Sequence, residues 1–302
     1  MNEEDWKVLL GRIKDGKCTP FLGAGVNYKI LPLGGQIARE WAEAEQFPLR
    51  SSDDLASVAQ FIAVKYDDKV VPKDRILERL AQEARPDFSQ ADERLDCLRA
   101  LAELPLPVYL TTNYDDLMVE ALRHTEPRKN PRREICKWHA GLESVPSVFA
   151  ATQVYEPDHA NPVVFHLHGS DQLVDSLVLT EDDYLDFLVN ISRNQELLPS
   201  RIQRALTEAS LLFIGYRLRD INFRVIYRGL VQSMDGSRRR LSITVQMKPP
   251  DEHAGDAEAA EHYLTEYFKD LKVRVYWGTA KDFAKELRDR WKKFCAVSIA
   301  NP

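Results

Sequence analysis

The chain has no close cysteine pair. Cys18, Cys97, Cys136 and Cys295 are scattered over 302 residues, whereas structural zinc sites gather ligands a few positions apart. They read as buried or idle thiols rather than as a zinc site or disulfides. Long apolar runs are also missing, since none approaches the roughly 18 residues of a membrane span. Met1-Asn2-Glu3-Glu4-Asp5 is acidic, where a signal peptide is basic and then apolar. The expectation is a cytoplasmic protein that does not contact a membrane. Positive charge is not in excess: 41 Lys and Arg against 47 Asp and Glu leave a net charge of −6, so no direct nucleic acid binding is expected. The one basic cluster, Ser237-Arg238-Arg239-Arg240, reads as a solvated loop, or as a contact for a phosphate or an acidic partner. The remainder is ordinary, with 44% hydrophobic and 29% charged residues, ample for a packed core.

The strongest local signal is also marked by an absence. Thr111-Thr112-Asn113-Tyr114-Asp115 contains neither Gly nor Pro, the residues that most readily build a purely structural turn. Before it, Pro107 to Leu110 is apolar and reads as a buried strand; after it, Asp116 to Leu122 has helical spacing. An Asn and an Asp at the C-terminal end of a strand stand where open α/β sheets bind ligands. Three further stretches share that character: Phe21 to Gly25, Val163 to Gly169 and Leu211 to Tyr216.

Elsewhere the pattern is helix and strand in alternation. Trp6, Leu9, Leu10 and Ile13 form a helical stripe, and Thr19 to Leu22 is the first strand. Helical patterns from about 36 to 103, divided at Pro48, Pro72 and Pro86, read as an insertion packed against the sheet. Residues 125–162 read as irregular, with one short strand near Ile135–Trp138. Then come strand Val163–Leu167, helices at about 181–191 and 195–208, strand Ser210–Ile214 and a helix from Asp220. Strand Leu241–Val245, a helix at about 256–269, strand Val273–Trp277 and a final helix complete the chain. Apolar, non-alternating strands separated by helices indicate a mainly parallel sheet covered on both faces. The expected fold is α/β, Rossmann-like and doubly wound, a single domain over 1–302 with a helical insertion and no zinc ribbon.

Gly23-Ala24-Gly25 lets a backbone approach a pyrophosphate closely. Tyr28, however, occupies the place of the third glycine, and Glu40, Glu43 and Glu45 lie within a helical pattern where one acidic residue is expected. Alone, the turn fits a structural role equally well. His166 and His168 share a face in a regular strand. His168 is the functional candidate because it is nearer the strand end and Gly169 follows it.

Taken together, Gly-Ala-Gly at 23–25, Thr-Thr-Asn-Tyr-Asp at 111–115, Leu-His-Gly at 167–169 and Phe-Ile-Gly-Tyr at 213–216 resemble the sirtuin superfamily in order and context. The branch it resembles most is the bacterial SIR2-like one associated with antiphage defence. The likeness runs from residue 18 to about 290. It implies Asn113 as the active-site Asn, His168 as the catalytic His and Asp115 as the carboxylate near the nicotinamide and ribose. Gly23, Ala24, Gly25 and Asn27 match the pyrophosphate and ribose turn, and Gly215 and Tyr216 the element along the dinucleotide. Gln246, after Val245, matches the adenosine-ribose strand end, and Gly278 and Thr279 the adenine-side loop. Thr112 stands where deacylases of the superfamily usually carry Gln. Residues 169–209 contain no Cys, so the zinc ribbon of those deacylases, which accompanies their peptide groove, is not expected.

The resemblance implies NAD as substrate, no metal, and hydrolysis of NAD+ to ADP-ribose and nicotinamide by a gated effector that depletes NAD during phage infection. The alternatives are an NAD-dependent protein deacylase and a non-catalytic module sensing NAD or ADP-ribose. With the chain occupied by one domain, control is expected from a homo-oligomer or a HerA-type ATPase partner. Cleaving the nicotinamide–ribose bond requires support of an oxocarbenium-like ribose and a positioned nucleophile. In the expected chemistry a His with a pKa near neutral supplies the base, the Asn amide orients water or holds ribose hydroxyls, and Asp115 stabilises positive charge or anchors the carboxamide through a water.

Overall fold

The computed structural model describes residues 1–150, 155–216, 240–247 and 257–300. Strands β1 (Cys18–Leu22), β2 (Val108–Thr111), β3 (Arg132–Ile135), β4 (Val163–His166), β5 (Ser210–Ile214), β6 (Ser242–Gln246) and β7 (Val273–Trp277) form one sheet in the order β3-β4-β2-β1-β5-β6-β7. Every neighbouring pair is parallel. β1, β2, β4, β5 and β6 are buried along their whole length, which is why their sequences are apolar without alternation. From β1 the chain builds outward through β2 to β4 and β3, then crosses back to β5 and continues to β6 and β7. The order therefore reverses between β1 and β5, the kind of point where doubly wound sheets bind ligands.

Helices cover both faces. On one lie α1 (Glu3–Lys14), α5 (Asp96–Ala102) and α6 (Leu117–Arg123), whose Trp6, Leu101 and Leu122 pack with Val164, Ile214 and Ile243. On the other, Phe187 of α7 (Glu181–Arg193) and Ile202 of α8 (Ser200–Thr207) pack with Phe165 and Phe213. Phe268 of α9 (Ala257–Asp270) joins that cluster, while Phe283 of α10 (Ala280–Ala300) joins the first. Each such aromatic contributes about 1.5–3 kcal/mol by leaving water.

Between β1 and β2 stand α2 (Gly34–Glu45), α3 (Leu55–Tyr66) and α4 (Val70–Ala81). Ala38, Ala42, Val58 and Ile62 join α2 to α3, and Val71 of α4 packs against them. Ile37, Ala59 and Ile76 pack against Leu177, Leu179 and Tyr114, so these helices rest on the loops at the C-terminal edge of the sheet. A buried ion pair fixes the contact: Lys73 Nζ lies 3.1 Å from Asp183 Oδ1, and Asp183 Oδ2 accepts from the Leu179 and Thr180 N–H groups.

Several boundaries differ from the sequence reading. Pro72 does not divide helices; it lies in the first turn of α4, where a missing N–H breaks no ladder bond. The break comes at Asp67, left-handed at φ 51°, which closes α3. The helix expected at 195–208 is a 3₁₀ turn, Gln195–Leu197, followed by α8, with Pro199 directly before it. The short strand is Arg132–Ile135 rather than Ile135–Trp138. The helix expected from Asp220 and most of the basic cluster, Ser237 to Arg239, lie outside the described residues. All four cysteines are free thiols, and burial pushes Cys18 and Cys97 up to about 12. Among the described residues no helix is long and apolar enough to cross a membrane.

Candidate functional site

The ends of β1 and β5 interlock through their glycines. The Gly23 N–H donates to the Ile214 carbonyl at 2.9 Å, and the Gly25 N–H to the Gly215 carbonyl at 3.0 Å. Gly215 has φ +84°, and a Cβ there would lie 2.5 Å from the Val26 nitrogen and 2.6 Å from the Gly23 oxygen. Close backbone packing at the switch point thus accounts for Gly23, Gly25 and Gly215 by itself. It also places the Gly-Ala-Gly turn at the centre of the sheet edge.

The end of β2 is tied to this knot. The Leu22 carbonyl accepts from the Thr112 N–H at 3.0 Å, from the Thr111 hydroxyl at 3.2 Å and from the Tyr216 hydroxyl at 3.0 Å. With the Tyr216 proton so used, the Thr112 hydroxyl is the donor in its 2.8 Å contact with Tyr216 Oη. Asn113 donates its N–H to Thr111 Oγ1 at 3.0 Å and its amide Nδ2 to the Gly23 carbonyl at 3.2 Å. One step further on, Asn27 Nδ2 donates to Asp115 Oδ2 at 2.8 Å. Gly23, Ala24, Gly25, Asn27, Thr112, Asn113, Asp115, Gly215 and Tyr216 therefore form one connected group, built from segments nearly 200 positions apart (216 − 23 = 193).

Asp115 is the group whose titration falls near neutrality. Burial pushes its carboxyl up to about 7, with a further push from the carboxylates of Asp171 and Asp116 and opposition from the Leu117 N–H that it accepts. Arg85 faces the same acids, its guanidinium 3.3 Å from Asp116 and 3.8 Å from Asp171. The sequence reading missed Asp116, Asp171 and Arg85. The second Asp of Tyr-Asp-Asp and the Ser-Asp after His168-Gly169 were the available signals.

The two histidines do not share a face. β4 ends at His166, and the alternation rule lapses beyond the strand end. The His168 ring instead packs edge-on against Tyr184 and Phe187 at 5.1 and 5.2 Å, with Phe187 in the cluster of Phe165, whereas Val164, two residues before His166, belongs to the opposite cluster. His166 Nδ1 lies 3.0 Å from the Asn113 carbonyl. The expectation of a His168 pKa near neutral is overturned: burial alone holds it down at about 3. Burial also holds His166 down, at about 4, opposed by its bond to the Asn113 carbonyl and by Asp116 and helped by Arg133. Both rings are neutral at pH 7, able to accept a proton only if a developing negative partner is at hand. Among the described residues, no partner meets Nε2 of either histidine or Oδ1 of Asn27.

The residues matched to the adenosine end lie apart from this group. The Gly278 N–H donates to the Gln246 carbonyl at 2.8 Å, joining the ends of β6 and β7, which are two and three strands from β1, roughly 10 and 14 Å at the usual spacing. Thr279 and Asp282 exchange hydrogen bonds at 2.7 and 3.1 Å as the cap of α10. Gln246 and Gly278 do lie on the same C-terminal edge as Asn113. Among the described residues no group of three or more His, Cys, Asp or Glu is placed to hold a metal ion.

Comparison with known proteins bears on this arrangement. The chain is 28% identical over 227 residues to the NAD(+) hydrolase ThsA of Cytobacillus dafuensis, covering 73% of this chain and 39% of that protein. It is 23% identical over 319 aligned positions to the NAD(+) hydrolase ThsA of Acinetobacter baumannii, covering 99% and 59%, and 27% identical over 231 residues to that of Enterococcus faecium, covering 74% and 42%. The chain thus spans between about two fifths and three fifths of these relatives' length. The SIR2-like domain signature matches residues 107–275, from the start of β2 into β7. The chain belongs to the SIR2-like family.

Proposed function

We propose that the chain hydrolyses the nicotinamide–ribose bond of NAD+, releasing nicotinamide and ADP-ribose. The observation that carries the reading is the connected group at the switch point, where Asn113, Asp115 and the Gly23–Asn27 turn meet at one sheet edge. The relatives' name, NAD(+) hydrolase, supports the choice of reaction. In this reading the Asn113 amide orients the attacking water or a ribose hydroxyl. Ionised Asp115 stabilises the positive charge that develops on the sugar. His168, neutral and with no partner at Nε2 among the described residues, receives the proton from the nucleophile as the bond breaks. The Gly-Ala-Gly turn and Gly215 with Tyr216 flank the dinucleotide, which runs toward Gln246, Gly278 and Thr279.

The biological reading is a cytoplasmic antiphage effector that depletes NAD, restrained until triggered, working as a homo-oligomer or with a HerA-type ATPase. The decisive experiment incubates the purified chain with NAD+ and separates products by chromatography, with and without an acetyl-lysine peptide. Nicotinamide and ADP-ribose without peptide support hydrolysis; release only with peptide supports a deacylase. Saturable binding with no product under any of these conditions, and none with a HerA-type ATPase and ATP added, refutes catalysis.

A further inference from the structure

We infer that His166 is a positioning residue for Asn113, holding its main-chain carbonyl through an Nδ1–H donor and acting on the chemistry only through that contact. This rests on the proposed role of Asn113. His166 is fully buried and fixed by its own backbone, whose carbonyl accepts from the Cys136 N–H at 2.9 Å. Its Nδ1 is 3.0 Å from the Asn113 oxygen. A carbonyl can only accept, so Nδ1 carries the hydrogen, and a neutral imidazole has just one to give. Nε2 is therefore a bare acceptor, in keeping with its lack of a partner among the described residues.

A buried acceptor left unmet is unfavourable, and Val164 shows that an aliphatic residue packs well on the same strand face. The imidazole is thus poorly explained by packing and well explained by its one bond. Asn113 lies after the end of β2, outside any helix or strand, so no ladder secures its carbonyl. Its N–H and side chain are tied to Thr111 and Gly23, on β2 and the β1 loop. Among the described residues, only His166 ties Asn113 to β4, the strand that leads to His168.

The test uses the full chain with His166→Asn, His166→Gln and His166→Leu. An Asn amide reaches the Nδ1 position and restores the donor, whereas a Gln amide reaches the Nε2 position and does not. Displacement of a reacting group by even about 1 Å can lower turnover about 10²-fold. We expect His166→Gln and His166→Leu to lose about that factor in kcat with KM little changed, and His166→Asn to recover most of it. Gln and Asn behaving alike, or Asn as impaired as Leu, overturns the inference. Long-range ¹⁵N–¹H spectra of ¹⁵N-histidine-labelled protein read the tautomer without substrate: a proton on Nδ1 of His166 is expected, and one on Nε2 overturns the inference even if a variant fails to fold. A wild-type chain that leaves NAD+ intact, both alone and with a HerA-type ATPase and ATP, while showing the Nδ1–H signal refutes the proposed function and leaves the positioning contact standing.

Discussion

Asp115→Asn isolates the group that titrates near neutrality. In the folded chain the carboxyl sits at about 7, against about 3.9 in an unfolded chain. Between those values the folded state holds a proton that the unfolded state has released, so stability falls as pH rises from about 4 to 7 and is level above. The gap is about three pH units, worth about 4 kcal/mol at 1.36 kcal/mol per unit. Asp115 is only half-buried, and solvent screening reduces this to about 2 kcal/mol. Asn at this position carries no such slope. Its amide can meet Asn27 if that side chain turns to present Oδ1, which has no partner among the described residues. Urea unfolding of both proteins at intervals from pH 4.5 to 8 should show the variant gaining about 2 kcal/mol on the wild type across the range, with the gain saturating near pH 7. A constant difference, or a wild type that gains on the variant with rising pH, would refute the electrostatic account. Because the ionised form is assigned the catalytic role, wild-type kcat/KM should rise through the same pH, and the variant should lose that limb.

Other substitutions probe the remaining parts. Asn113→Ala and His168→Ala should each lower NAD turnover by about 10²–10⁴-fold with unchanged circular dichroism; near-normal rates in both would remove the site assignment. Gly215→Ala forces a side chain into left-handed backbone and against the Val26 nitrogen, so a loss of about 1–3 kcal/mol is expected in thermal unfolding. Lys73→Met leaves the Asp183 carboxylate buried without its cation and should cost about 3–5 kcal/mol, measured by denaturant titration; Lys73→Met with Asp183→Asn should recover part of that loss.

The fold was legible because its sheet is buried on both faces. β5 and β7 have the bounds their apolar runs suggested, and the others moved by a residue or a few. Errors came where one residue type has two uses. Pro72 begins a helix as readily as it ends one, and only Asp67's left-handed backbone shows which. For the site, Asn113, Asp115 and the glycines could be picked out because polar residues and glycine at an apolar strand end are conspicuous. Arg85, Asp116 and Asp171 were not, since charged residues in loops are the common case and only their mutual distances set these apart.

By itself the sequence determined a parallel α/β sheet and the strand ends that carry polar and glycine residues, since burial and backbone freedom are local demands that each segment satisfies alone. Tertiary structure alone decided which groups titrate and which histidine touches Asn113. Those depend on solvent exclusion and on where β4 stops, and both arise from packing between segments far apart in the chain.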